Sequence, residues 1–86
     1  MQAQPTLPTG RFTIETLDGE KFIGRSADAI IDAMRSNSWG ESGETREQYR
    51  VALAERLRLW KKQPVRHETS DLLLLDMLDM GIVRIL

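Results

Sequence analysis

The side chains that could perform catalysis or bind a metal are few in this sequence, and they are widely spaced. His67 is the only histidine and there is no cysteine, which excludes a site built from several histidines and any cysteine-based zinc or redox site. A histidine that acts as a general base needs a nucleophile within hydrogen-bond reach, and no serine here lies in a motif typical of one. We therefore interpret His67 as an exposed linker residue.

Two pairs of aspartates have the spacing of neighbours on a helix, namely Asp28 with Asp32 and Asp76 with Asp79. Paired carboxylates can bind Mg²⁺ or share a proton, but neither pair has a third ligand nearby in the sequence. The stretch WGESGE has neither the spacing nor the lysine of a phosphate-binding loop. The sequence thus predicts no catalytic residue, no cofactor and no metal, and we expect a protein that is not an enzyme.

Positive charge is concentrated in residues 45–62, TREQYRVALAERLRLWKK, which hold six of the twelve lysine and arginine residues. As a helix, this stretch has a candidate basic face that consists of Arg50, Arg58, Lys61 and Lys62. At about 100° per residue these four lie on two separate shoulders, and Glu47 and Glu55 interrupt them. A helix that binds a nucleic-acid groove carries its Lys and Arg on one strip. The pattern therefore disfavours nucleic-acid binding, which remains the alternative function.

The rest of the chain compensates for this basic stretch. Residues 45–66 contain seven basic and two acidic residues, whereas the whole chain has a net charge of −1. The remainder is therefore acidic, and its aspartates can neutralise the basic helix within the fold. These aspartates are the four paired above, on the first and third predicted helices.

The same basic stretch has an apolar side. Tyr49, Leu53, Leu57 and Trp60 fall within one arc of about 80° on a helical wheel, as in a helix that packs on a core. We therefore predict that Trp60 is largely buried. Trp39 lies in a loop rich in Ser and Gly, and we expect it to be less buried than Trp60.

The third predicted helix is apolar over a wide arc of about 220°, against the roughly 100° that a one-sided surface helix needs. One explanation is a central helix, packed between the sheet and the second helix. The other is that part of this Leu/Met surface meets another chain, as a homodimer or as an adapter surface. The candidate partner surface consists of Leu72, Leu73, Met77 and Met80.

Size and composition favour one small domain in the cytoplasm. The chain has 86 residues, of which 41% are hydrophobic and 29% charged, proportions typical of a globular protein. No apolar run approaches the roughly 20 residues needed to span a bilayer, and the N-terminus does not resemble a signal peptide. Residues 1–10 contain Pro and Gly without hydrophobic periodicity, so we expect a flexible tail before a domain of residues 11–86.

Hydrophobic periodicity predicts a small α+β fold of order β-β-α-α-α-β. Asp18-Gly19 marks a hairpin turn, and a three-residue loop that pairs Glu15 with Lys21 puts the apolar residues of both strands on one face. Helices are expected over 27–36 with Ser26 as the cap, from 45 to about 62, and to Met80 after a cap at Ser70 or Thr69. IVRIL is expected as a last strand. This strand should join the hairpin in a three-stranded sheet, packed by helices on one face.

These features together favour a non-enzymatic module that binds another protein, in the manner of an adapter or an inhibitor. The partner is a second protein or a second copy of the chain. The alternative is a nucleic-acid-binding module that uses the basic helix at residues 45–62.

Overall fold

The structure, a computed structural model, describes residues 7–37 and 45–86. Within them the chain forms elements in the predicted order β-β-α-α-α-β. These are β1 (Phe12–Thr16), β2 (Lys21–Gly24), α1 (Ala27–Ser36), α2 (Arg46–Lys61), α3 (Ser70–Asp79) and β3 (Val83–Ile85).

β1 and β2 form the antiparallel hairpin in the register that the alternation of side chains predicts. Glu15 lies opposite Lys21, and Ile14 lies opposite Phe22. Gly19 has a φ of 88°, the left-handed conformation that closes a three-residue loop. A slip of one residue would turn the apolar side chains toward water, and burial of one face therefore determines the register.

β3 pairs with the other side of β1, so the sheet order is β2-β1-β3 and both pairs are antiparallel. On the central strand Phe12, Ile14 and Thr16 are buried. On the opposite face of the sheet, Ile23 and Arg84 are exposed. The helices thus cover one face of a three-stranded sheet, as predicted.

Each helix begins after a hydroxyl residue that caps it. Ser26, Thr45 and Thr69 accept hydrogen bonds from the backbone N–H three residues later, which satisfies donors that have no partner within the helix. Of the two candidate caps for α3, Thr69 is the cap and Ser70 is the first helical residue. α2 ends at Lys61, before Pro64 as expected.

The prediction that Trp60 is buried is wrong, because Trp60 is 56% exposed. Its neighbours on the helical wheel do pack as predicted, since Tyr49, Leu53 and Leu57 are all buried. α2 has 16 residues, whereas α1 and α3 have 10 each, a difference of about 9 Å at 1.5 Å per residue. After Leu57 no residue of α2 is buried, so the last turn extends past the core although it continues the same arc. Trp39 lies outside the described residues.

Half of the candidate partner surface on α3 is in the core. Leu73 and Met77 are fully buried, so the prediction is wrong for these two residues, which pack against the other elements of the same chain. Leu72 is half-buried, and Met80 is partly buried against the core. The wide apolar arc is therefore explained mainly by packing inside the domain.

The predicted tail is described only from residue 7 onward. Leu7 packs against the core cluster, whereas residues 8–10 are exposed. Leu7 therefore contributes to the domain, although it lies in the segment predicted to be a flexible tail. The sequence before residue 11 has no hydrophobic periodicity that would have indicated this contact.

Candidate protein-binding surface

Two residues of the candidate basic face are engaged within the chain. Arg50 donates hydrogen bonds to the carbonyl oxygens of His67, 3.0 Å from Nε, and Glu68, 3.4 Å from Nη2. Arg58 forms an ion pair with Glu55, one turn earlier on α2, and its Nε donates to that carboxylate over 3.2 Å. Both guanidinium groups are thus directed at atoms of their own chain.

The two lysines of the candidate basic face lie at the end of α2, in different surroundings. Lys61 places Nζ 4.7 Å from the centroid of the Trp60 ring, a cation–π contact. Lys62 caps the helix with a φ of 60°, a conformation that residues other than glycine rarely adopt. The structure therefore does not bring the four predicted basic residues together on one strip.

The aspartates of α1 neutralise the beginning of α2, as the charge distribution predicts. Arg46 reaches Asp28 with Nη1 at 3.2 Å and Asp32 with Nη2 at 2.7 Å. The hydrogen bond from Arg46 holds the pKa of the Asp32 carboxyl below its ordinary value. These contacts join the two helices across residues 38–44, which the structure leaves undescribed.

Asp76 binds the linker before α3 rather than α2. Its carboxylate accepts hydrogen bonds from Nη2 of Arg66 at 2.6 Å and from the Arg66 backbone N–H at 2.7 Å. His67, predicted as exposed, is half-buried in this linker. Across residues 7–37 and 45–86, no group of three or more His, Asp or Glu side chains is placed to hold a metal ion.

Two consecutive large apolar side chains near the end of α2 face water. Leu59 is 57% exposed and Trp60 is 56% exposed. Together with Ala52, Glu55 and Arg56 they line a shallow depression of about 620 Å³. We name Ala52, Leu59 and Trp60 the α2 patch.

Four cations lie next to the α2 patch. Arg56 lines the same depression as Leu59 and Trp60. Arg58 and Lys62 line a second depression that Leu59 also borders, and Lys61 lies over the Trp60 ring. The patch thus combines an apolar centre with a rim in which four cations outnumber one carboxylate, Glu55. We name the four cations the basic rim.

A second exposed surface, on the outer side of α3, has the opposite charge. Asp71 and Asp79 are exposed, and Leu72 and Leu75 between them are half-buried. These residues recur at helical spacing opposite the buried side of α3. Neither leucine is among the partly buried residues that pack against the core cluster. We name Asp71, Leu72, Leu75 and Asp79 the α3 acidic face.

The sequence did contain a signal for the α2 patch. Ala52 and Leu59, spaced by seven, continue the apolar arc beyond the line of Tyr49, Leu53 and Leu57, and this width exceeds what one packed side requires. The stretch KKQP, which follows Trp60 directly, marks the polar end of the helix. The prediction missed the patch because a helical wheel gives the direction of a side chain around the helix but not its position along the helix axis.

Comparison with known proteins gives no relative for this chain: no protein-family model, no curated protein and no solved structure matches it. Within residues 7–37 and 45–86, no helix has both the length and the apolar character to cross a membrane. Any proposal about function therefore depends on the surfaces described above.

Proposed function

We propose that this domain is a non-enzymatic module that binds a protein partner through the α2 patch, in the manner of an adapter or an inhibitor. The partner is a different protein or a second copy of the chain. The surface that the patch binds has an apolar centre with acidic residues around it, because it must complement the apolar centre and basic rim of the patch. We propose the cytoplasm as the place of this binding, which is compatible with a chain that has no cysteine to form a disulfide.

The exposure of Leu59 and Trp60 on neighbouring positions of one helix is the observation that carries the proposal. Tryptophan and arginine are the residue types most enriched among those that dominate protein interfaces, and both occur in this depression. Burial of apolar surface contributes about 25 cal/mol per Å², so a partner that covers these side chains gains affinity from them. The side chains that Trp60 was expected to join are buried without it.

The electrostatics of the patch support a protein partner more than a nucleic acid. Arg50 and Arg58 have partners within the chain, and Glu55 lines the depression itself. This carboxylate offsets part of the positive charge that a phosphate backbone would need. Apolar contacts with charges at the rim are instead the composition of protein interfaces.

Site-specific photo-crosslinking in the source cell tests the proposal. A photoreactive amino acid replaces Leu59, and cross-linked products are identified by mass spectrometry. The matched control is the same replacement at Ile23, an isoleucine on the open face of the sheet with nearly the same exposure, 56%. We expect a discrete cross-linked protein from position 59 and none at comparable yield from position 23.

Specificity is checked by adding Trp60→Ser to the variant that carries the crosslinker at position 59. Loss of the product with retained helical circular dichroism supports binding through the α2 patch. Equal products from positions 59 and 23, or no product from position 59, would contradict the proposed function.

A titration with nucleic acid separates the alternative function from the proposed one. We expect no binding of a mixed duplex or single strand at about 150 mM salt, where charges are screened beyond about 8 Å. Submicromolar binding that disappears when Arg50, Arg58, Lys61 and Lys62 are neutralised would favour the nucleic-acid module instead.

A further inference from the structure

We propose that the partner of the α2 patch is the α3 acidic face of a second copy of this chain. Two copies then pair about a two-fold axis, so that each α2 packs against the other copy's α3. This inference rests on the proposed function, because it identifies the partner of the same surface.

The two surfaces match in charge and in apolar content. The α2 patch presents Leu59 and Trp60 with four cations and one carboxylate, Glu55, around them, so its rim is positive on balance. The α3 acidic face presents Leu72 and Leu75, with Asp71 and Asp79 exposed beside them. An apolar centre with a positive rim therefore meets an apolar centre with a negative rim, which is the complementarity that specific interfaces use.

Within one chain the two surfaces do not cover each other. Leu59 and Trp60 are more than half exposed, and both aspartates of the α3 acidic face are exposed. α2 and α3 do contact each other, but Leu57 and Leu73, which face the core, are buried members of the core cluster and belong to neither surface. Only another molecule can bring the patch and the acidic face together.

Two-fold pairing follows from the area that a specific interface needs. α3 is ten residues long, about 15 Å. One side of so short a helix offers little contact area, whereas each partner buries roughly 800 Å² in a standard interface. A two-fold axis makes the same contact twice, because each copy supplies one patch and one acidic face. The doubled contact is still modest, and we expect dissociation constants in the micromolar range, on the order of 1–100 µM.

Sedimentation velocity of the full chain tests this arrangement. Over concentrations of about 1–500 µM, the mean mass is expected to rise from 9.8 kDa toward twice that value. Raising the salt from about 0.05 to 0.5 M should weaken association, since exposed charges are screened. A mass that stays at 9.8 kDa throughout, or that grows past the dimer without a plateau, overturns the proposal.

Charge reversal identifies the surfaces involved. The rim variant is Lys61→Glu with Lys62→Glu, and the acidic-face variant is Asp71→Lys with Asp79→Lys. Each variant alone is expected to raise the dissociation constant at least about tenfold, because like charges then meet at both contacts.

An equimolar mixture of the two variants provides the decisive measurement. In the mixed dimer, one contact joins the reversed rim to the reversed acidic face, and the other contact joins the two unchanged surfaces. Opposite charges therefore meet at both contacts, and the dissociation constant should return to within about threefold of the wild-type value. Wild-type association that neither variant weakens, or a mixture that stays monomeric, contradicts the assigned contact. Circular dichroism and melting temperature verify folding, and if a double variant fails to fold, Lys62→Glu and Asp79→Lys form the corresponding single pair.

Failure of this inference can be distinguished from failure of the proposed function. A monomeric chain that still gives a cross-link from position 59 to a different protein refutes self-association and leaves the binding function in place. A monomeric chain that gives no cross-link from position 59 contradicts both the self-association and the proposed function.

Discussion

Arg66 and Asp76 are joined through main chain and side chain at once: the Asp76 carboxylate accepts from the Arg66 backbone N–H at 2.7 Å and from its guanidinium Nη2 at 2.6 Å. The contact spans ten residues and fixes the linker before α3 against that helix. Arg50 holds the next residue of the linker through the carbonyl oxygen of His67. The direction in which the chain enters α3, and with it the placement of the α3 acidic face, depends on these contacts.

This pairing predicts a loss of stability in acid. Burial by itself raises the pKa of Asp76, but the hydrogen bonds from Arg66 outweigh it, and the pKa lies below its ordinary value. A carboxyl with a lowered folded-state pKa stabilises the fold above its unfolded pKa, near 3.9, and this contribution disappears as the pH falls through the folded-state pKa. The Asp76 contribution should therefore be complete at neutral pH and decrease progressively below about pH 4.

The measurement is thermal unfolding of Asp76→Asn and wild type as a function of pH. At pH 7 we expect the variant to be less stable by about 1 kcal/mol, mainly from the weakened hydrogen bond to the Arg66 backbone N–H. The difference should shrink in acid, where wild type loses the same charge. Asp79→Asn, which removes an exposed carboxylate of the same helix, is the control. A difference that is constant from pH 7 to pH 2 would show that the charge of Asp76 is not involved.

Alanine substitution at two adjacent residues at the start of α3 should change the stability of the fold in opposite directions. Ser70 is 1% exposed, and its Oγ has no hydrogen-bond partner among the residues that the structure describes. A buried hydroxyl without a partner is destabilising, so Ser70→Ala should raise the free energy of unfolding by about 1 kcal/mol. Thr69 caps the helix, and Thr69→Ala should lower it by about 1 kcal/mol. Urea denaturation of the two variants measures both changes in the free energy of unfolding. A loss of stability in Ser70→Ala would show that the Ser70 hydroxyl has a hydrogen-bond partner.

The end of α2 provides a second pair of opposite effects. Lys62 has a φ of 60°, where a side chain is unfavourable and glycine is not, so Lys62→Gly should stabilise by about 0.5–1 kcal/mol. Lys61 is the last helical residue, and Lys61→Gly should destabilise by about 0.5–1 kcal/mol through lost helix propensity. Melting temperatures of both variants check the prediction. If glycine destabilises at both positions equally, Lys62 makes contacts that compensate for its backbone.

Trp60 should be nearly dispensable for folding. Because the side chain is more than half exposed, Trp60→Ala is expected to change the free energy of unfolding by less than about 1 kcal/mol. Leu57, one turn earlier and 2% exposed, is the matched core position, and Leu57→Ala should cost about 2–5 kcal/mol. Chemical denaturation monitored by circular dichroism compares the two. A large loss in Trp60→Ala would mean that the last turn of α2 packs against the domain.

Local chemistry in the sequence determined the elements and the hairpin register. Asp18-Gly19 with alternating apolar residues on both sides allowed only one register that buries Phe12, Ile14 and Phe22 together, and the structure has that register. Ser26 was identifiable as a helix cap, and Thr69 as one of two candidates beside Ser70, because a capping side chain binds the backbone N–H three positions later. That the last strand joins the hairpin also followed, since a strand of this length is stable only within a sheet. Its place beside β1 came from the structure.

Only the tertiary structure decided which apolar residues face water. Leu57 and Trp60 lie within the same arc of a helical wheel, yet one is buried and the other is 56% exposed. Leu72 and Leu73 are neighbours in an unbroken leucine run, and only Leu73 is in the core. The reason is that periodicity gives the angle of a side chain around its helix. Where the core begins and ends along the axis depends on the lengths of the elements packed beside it.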